Sequence, residues 1–193
     1  MASDTRTGDV GIFDRFARLY DLKPATRRAK LAPALELADR DVQRVLDVGG
    51  GTGQGVRALD VPEGVVVDAA LGMLAKARDH GVAGVRGDAT RLPVADESVD
   101  AVLILDALHH MARPEAVVEE AARVLRPGGV LVCLEFDPTT VLGRALVAGE
   151  HLFGFDSRFF TAGDLAAVVR AAGLSASIPR TGFEYTVAGV KRF

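Results

Sequence analysis

Val45-Leu46-Asp47-Val48-Gly49-Gly50-Gly51-Thr52-Gly53-Gln54 is the stretch whose reading decides the fold of this 193-residue chain. Val45, Leu46 and Val48 read as a buried strand. The strand breaks into glycine at positions 49, 51 and 53, with one more at 50, and a helix is expected to follow. Glycine lets the backbone turn sharply and approach a ligand with no Cβ in the way. A strand, a glycine turn and a helix start form the nucleotide-binding corner of a doubly wound α/β sheet. The spacing Asp-x-Gly-x-Gly-x-Gly differs from the dinucleotide fingerprint Gly-x-Gly-x-x-Gly.

The rest of the chain continues that pattern. Strands are expected at 44–48, 64–68, 83–87, 99–105 and 129–136, with helices between them at 54–60, 71–79 and 114–125. Apolar strands alternating with helical segments mean βαβ units and a parallel sheet. Ahead of the first strand, Ile12, Phe13, Phe16, Leu19 and Tyr20 recur at helical spacing, and a second helical stretch covers 25–38. Arg126-Pro127-Gly128-Gly129 reads as a helix stop followed by a turn. A last helix is expected at 161–172, with Thr161 as N-cap and Gly173 just past its end, then strands near 174–178 and 184–191. The stretch 138–160 shows no clear period and is expected to form a mobile lid.

These elements make one α/β domain over 1–193, with a doubly wound, mostly parallel seven-stranded sheet. Residues 1–11 are expected to be disordered, 12–40 to form a helical cap over the cofactor site, 41–137 the cofactor-binding core, and 138–193 the lid and C-terminal elements.

Composition narrows the function. A net charge of −3 gives no basic field for nucleic acid. Cys133 is the single cysteine, so an internal disulfide and a cysteine-built metal site are excluded. It lies in an apolar run and reads as a core thiol. The polar start of the chain has no signal-peptide core, and no apolar run nears the ~20 residues a membrane span needs. A cytoplasmic protein, monomer or homodimer, is the expectation. Arg27, Arg28 and Lys30 read as a solvated helix face, or as a peripheral contact with anionic lipid.

Several residues at strand ends carry chemistry. Asp68 ends the second strand, where a carboxylate accepts hydrogen bonds from ribose hydroxyls; the alternative is a helix cap before Leu71. Asp88, in Gly87-Asp88-Ala89, either accepts from an adenine amino group, with small Ala89 leaving room for the ring, or simply makes a turn. After the fourth strand comes Asp106-Ala107-Leu108-His109-His110-Met111. His110 is either a pocket wall, a general base or a loop residue without a chemical part; His109 reads more as the last. Adjacent histidines evoke metal, but no third ligand is spaced to join them, so none is expected. Glu135, after the fifth strand, either takes a proton, orients an acceptor, or receives loop amides.

In this order the motifs resemble class I S-adenosylmethionine-dependent methyltransferases: Asp47 to Gly53, Asp68 with Met73-Leu74 following, Gly87-Asp88-Ala89, Leu108-His109-His110, and Arg123 through Gly129. Within that class, Phe13 through Asp21 and Leu134-Glu135-Phe136 are similar to the ubiquinone/menaquinone-biosynthesis C-methyltransferases. The resemblance implies S-adenosylmethionine as cofactor, bound by Tyr20, Asp47, Gly49, Gly51, Thr52, Gly53, Asp68, Ala69, Met73, Asp88, Ala89 and Asp106. Tyr20 would lie in a helix that closes over the cofactor. Two segments depart from the quinone enzymes. Asp-Ala-Leu-His-His stands where they carry an aromatic-Gly-Leu-Arg-Asn segment, and the stretch after Glu135 is shorter.

The implied reaction is in-line methyl transfer to a small, mostly apolar acceptor: a quinone precursor, a lipid or a secondary metabolite. Positioning does most of the work, and His110 and Glu135 are the candidate catalytic groups if the acceptor must lose a proton. A non-catalytic S-adenosylmethionine-binding module and an NAD-dependent oxidoreductase are the rival readings. The glycine spacing counts against the second.

Overall fold

A computed structural model describes residues 27–155 and 157–193. The elements are α1 (Arg27–Leu35), β1 (Arg44–Val48), α2 (Gln54–Leu59), β2 (Glu63–Asp68), α3 (Leu71–Asp79), β3 (Ala83–Arg86), β4 (Val99–Leu105), a 3₁₀ turn (Leu108–His110), α4 (Pro114–Val124), β5 (Leu125–Phe136), α5 (Val141–Leu152), α6 (Ala162–Ala171), β6 (Ser175–Arg180) and β7 (Glu184–Val190).

One seven-stranded sheet runs in the order β3-β2-β1-β4-β5-β7-β6. The first five strands in that order pair in parallel. β7 is antiparallel to both β5 and β6. The parallel strands therefore all end at one edge, and the order reverses between β1 and β4. That reversal is the switch point where open α/β sheets bind ligands.

Alternation along the strands divides the core in two. Ala101, Leu103 and Leu105 of β4 face α1 and α2, together with Val45, Val130 and Val132. Val102 and Ile104 face α4 and α6, packing on Val117, Val118, Ala121, Leu165 and Val169. β4 is buried along its whole length, as a central parallel strand must be. Of the expected helical cap, α1 lies on the sheet face through Leu31 and Ala34. The expectations for residues 1–26, including the helix at 12–20 and Tyr20, lie outside the described residues.

Two expectations need correction. Residues 138–160 contain α5, a helix of three turns capped by Thr140, whose hydroxyl accepts from Gly143 N–H. Gly143 and Gly149 interrupt its apolar pattern, and both apolar and polar residues face solvent, so no 3.6-residue stripe was legible. Residues 126–129 are not a turn ahead of a strand. β5 already begins at Leu125, opposite Val99, and its register then slips so that Val130 meets Ala101. Gly128 supplies the bend inside the strand at φ +81°, while its N–H donates to Lys191 O and its O accepts from Asp39 N–H.

Candidate functional site

The glycine loop takes the conformation its spacing implies. Gly49, Gly51 and Gly53 have φ of +67°, +55° and +78°, the left-handed region that costs other residues. Gly49 N–H donates to Val67 O, so the β1–β2 ladder extends into the loop. Gly50, the extra glycine, has a different purpose. An added Cβ there would lie 2.5 Å from Cγ of Asp47, and one at Gly55 would lie 2.4 Å from its Oδ2. Both glycines thus make room for the Asp47 carboxyl, which is 1% exposed beneath the loop.

Asp68 fastens the loop to the neighbouring strand end. Its Oδ2 accepts from Gly51 N–H at 2.9 Å and its Oδ1 from Ala70 N–H at 2.8 Å. Thr52 and Met73 are buried close by. The space a side chain at Gly51 would enter is bounded by Met73 Sδ, 3.7 Å away. Ala69 is half-buried between Asp68 and α3. Asp88 closes a local turn: its Oδ1 accepts from both the N–H and the hydroxyl of Thr90. Ala89 packs against the core. Asp106, at the end of β4, holds φ +57°, a position that aspartate tolerates better than most residues and that is common at functional sites. The structure thus brings Asp47, the loop glycines, Thr52, Asp68, Ala69, Met73, Asp88, Ala89 and Asp106 to one sheet edge.

Next to this edge, past β4 and β5, lies a polar cluster. Glu135 is 3% exposed. Its Oε1 accepts from Leu108 N–H at 2.9 Å, and its Oε2 lies 2.5 Å from Nδ1 of His109. His109 is no idle loop residue. Its ring is 1% exposed and stacks on Phe159 at 4.5 Å between centroids. Burial alone would pull its pKa down; the charge and hydrogen bond of Glu135, with help from Glu150, outweigh that and push it up to about 10. The Glu135 carboxylate against Nδ1 thus favours the protonated ring of His109.

Glu150 reaches this cluster from α5, with Oε1 3.7 Å from Nε2 of His109. Burial raises its pKa, but the nearby His109 ring and the hydrogen bond from Ser157 hold it below the ordinary carboxylate range. Ser157 Oγ donates to Glu150 Oε2 at 2.5 Å and lies 3.2 Å from Nδ1 of His110. Arg158 N–H donates to the His109 carbonyl, which lays residues 157–160 along the 3₁₀ turn.

The expectation that no third group joins the two histidines is corrected here. Ligand atoms of His109, His110 and Glu150 lie within 4.8 Å of one another. Glu150 is forty residues further on and arrives only because α5 folds. A metal would still have to displace the proton on His109. Glu150 and Ser157 were missed because they lie in the stretch without a period. Cys133 is buried as expected, and burial with the nearby Glu135 pushes its thiol far above its usual pKa. Lys30, from the expected basic face, pairs with Glu184. No helix among the described residues is long and apolar enough to cross a membrane.

Comparison with known proteins agrees with this geometry. Residues 46–133 match the family described as Methyltransferase domain. A demethylmenaquinone methyltransferase from Mycobacterium sp. (strain KMS) is 40% identical over 153 residues, 74% of this chain and 66% of the relative. The chain thus spans just under two thirds of that relative. The ubiquinone/menaquinone biosynthesis C-methyltransferase of Paracoccus denitrificans (strain Pd 1222) is 32% identical, over 100% of this chain and 80% of its own length. Among solved structures, a methyltransferase from Thermotoga maritima described as a possible histamine N-methyltransferase superposes with TM-score 0.79 and 26% identity, covering 95% of this chain and 99% of that one. With its glycine corner, its Asp68 strand end and these relatives, the chain belongs to the class I S-adenosylmethionine-dependent methyltransferases, in the ubiquinone/menaquinone biosynthesis family.

Proposed function

We propose that this protein transfers a methyl group from S-adenosylmethionine to a small, largely apolar acceptor of the quinone-precursor class. The observation that carries the proposal is the bare-backbone loop at Gly49–Gly53, locked to the Asp68 carboxylate at the switch point of the sheet. The residues present fit the cofactor. Cβ-free backbone gives close approach, and a strand-end carboxylate suits a ribose. An ionised carboxylate offers about four acceptor positions, so holding the loop and accepting hydroxyls are compatible roles.

S-adenosylmethionine supplies a methyl group already activated by its sulfonium. What remains for the chain is alignment, which contributes up to ~7–11 kcal/mol when donor and acceptor are held in line, and exclusion of water. The glycine loop, Asp68, Met73 and the Asp88 turn hold the cofactor side. The cluster beyond β4 and β5 handles the acceptor. Glu135, with both oxygens engaged and its side chain buried, orients His109 and the 3₁₀ turn. Proton removal from a ring carbon or hydroxyl then falls to His110. The apolar character of the acceptor is supported by α5, which presents Val141, Leu142, Leu152 and the adjoining Phe153 to solvent at 63–85% exposure.

Incubation with methyl-labelled S-adenosylmethionine and a bacterial lipid extract tests the proposal. Label is expected in an extractable aromatic lipid, and His110→Ala is expected to lower turnover with little change in cofactor affinity. Tight cofactor binding without label in any component would favour a binding module; equal loss of turnover and affinity would reduce His110 to a pocket wall.

A further inference from the structure

The two ring nitrogens of His109 have unequal surroundings. Nδ1 faces Glu135 Oε2 at 2.5 Å, and a carboxylate has no proton to give, so Nδ1 is the donor. Nε2 is buried and has no hydrogen-bond partner among the described residues. What it faces is Glu150 Oε1 at 3.7 Å. That separation is too long for a hydrogen bond. It is close to the ~3.3 Å between two donors of one tetrahedral zinc ion, each held at about 2.0–2.1 Å. A ring nitrogen of His110 completes the group, with all three donor atoms within 4.8 Å of one another.

The surroundings are those a bound cation needs. A metal-ligating histidine characteristically donates its other ring N–H to a carboxylate, which fixes the ring and makes the liganding nitrogen more basic. Glu135 does this for His109, and is itself held by Leu108 N–H. The liganding carboxylate is fixed as well: Ser157 Oγ donates to Glu150 Oε2, and Oε1 is the oxygen nearer Nε2. Phe159 stacks on the His109 ring and Phe155 lies 5.2 Å from that of His110, an apolar wall beside the donors. Glu135, Glu150 and Asp106 put negative charge around them. Two imidazoles and one carboxylate, without sulfur, suit zinc and its first-row neighbours rather than magnesium or calcium, which take oxygen.

We propose that His109, His110 and Glu150 form a binding site for a zinc-class divalent cation, with Glu135 as the outer carboxylate that orients His109. His109 binds through Nε2 and keeps Nδ1–H on Glu135. His110, now in contact with Ser157, trades an existing contact for the ion. Glu150 arrives on α5, so the ion ties that helix to the turn after β4. The site rests on geometry alone. One consequence rests on the methyl-transfer reading. A metal-bound imidazole carries hydrogen on its other nitrogen, so His110 cannot hold the ion and take the acceptor's proton together. The loaded enzyme is then the inactive one.

Calorimetric titration of the full chain with zinc chloride, after stripping with EDTA, tests the site. One ion per chain is expected, with magnesium chloride giving no saturable heat. Glu150→Gln is expected to weaken zinc binding at least ~10-fold, and Glu135→Gln, which touches only the outer partner, by ~10- to 100-fold. His151→Ala, on the exposed side of α5, is expected to leave it unchanged. Circular dichroism verifies the fold of each variant; should Glu150→Gln not fold, His110→Ala removes a ligand in its place. X-ray absorption of the zinc-loaded chain is expected to show nitrogen and oxygen donors with the scattering of two imidazoles. No saturable zinc binding, sulfur at the zinc, or an affinity indifferent to both Glu150→Gln and Glu135→Gln would overturn the proposal. Transfer of labelled methyl at saturating zinc reports on His110 separately: undiminished transfer with zinc bound would remove it as the base and leave the site standing.

Discussion

Asp47 shows how one buried side chain sets a local sequence. Its carboxyl occupies the volume over which the loop folds, and only glycine at 50 and 55 leaves that volume open. Gly55→Ala would place a methyl group 2.4 Å from Asp47 Oδ2 and 2.8 Å from Leu105 Cδ1. Overpacking of this kind costs ~1–3 kcal/mol, and here it also tilts the loop. Urea denaturation is expected to show that loss, and S-adenosylhomocysteine titration a weaker affinity; a variant of native stability and affinity would mean the carboxyl moves freely. The alternating glycines and the aspartates at strand ends were legible because turn chemistry and burial are local. His109 was not, since its charge comes from Glu135 and Glu150, which join it only in the fold.

At the scale of elements, α5 is the departure from expectation. Thr140 caps it, and an added Cβ at Gly143 would come within 1.8 Å of Asp137 O, so its first turn rests directly on the end of β5. Gly143 is its buried residue, Glu150 is half-buried beside His109, and its exposed side chains include Val141, Leu142 and Leu152 alongside Arg144 and His151. Under the proposed function, those exposed apolar side chains would be where an apolar acceptor approaches the sheet edge. Leu152→Asp with Phe153→Asp is expected to lower co-sedimentation with anionic phospholipid vesicles several-fold, leaving S-adenosylhomocysteine affinity unchanged. Equal sedimentation of the pair and the unaltered protein would place the acceptor route elsewhere. Of the five parallel strands, β1 to β4 were readable to within a residue or two because a buried strand between two helical layers is a continuous apolar run. β5 began earlier than expected because Pro127 and the glycines after it mimic a turn while the ladder runs past them.

For the molecule as a whole, stability and function are anchored at opposite edges of the sheet. Asp100, 1% exposed near the start of β4, accepts from the Gln43 and Arg44 amides and pairs with Arg40 and Arg126. Burial pushes its pKa up, but the Arg44 amide, Arg126, the Gln43 amide and Arg40 together hold it below 3.8. A carboxyl depressed in the folded state contributes stability above its unfolded pKa, lost as pH falls through the folded one. Asp100→Asn is therefore expected to cost ~3 kcal/mol at pH 7, the order for breaking a buried charge pair. The gap between variant and unaltered protein should narrow below about pH 4, near the ordinary aspartate pKa. A gap constant down to pH 2.5 in chemical denaturation would show that the charge contributes nothing.

The functional edge carries the account's main claim, that the loop at Gly49–Gly53 and Asp68 together hold an adenosyl sulfonium cofactor. Calorimetric titration with S-adenosylhomocysteine, on the unaltered protein and on Asp68→Ala, tests it most directly. One site per chain is expected, weakened ~5- to 150-fold in the variant, the equivalent of the ~1–3 kcal/mol lost when hydrogen-bond partners are left unpaired. Absence of binding heat from S-adenosylhomocysteine alongside tight binding of NADH, or an unchanged affinity in folded Asp68→Ala, would contradict it.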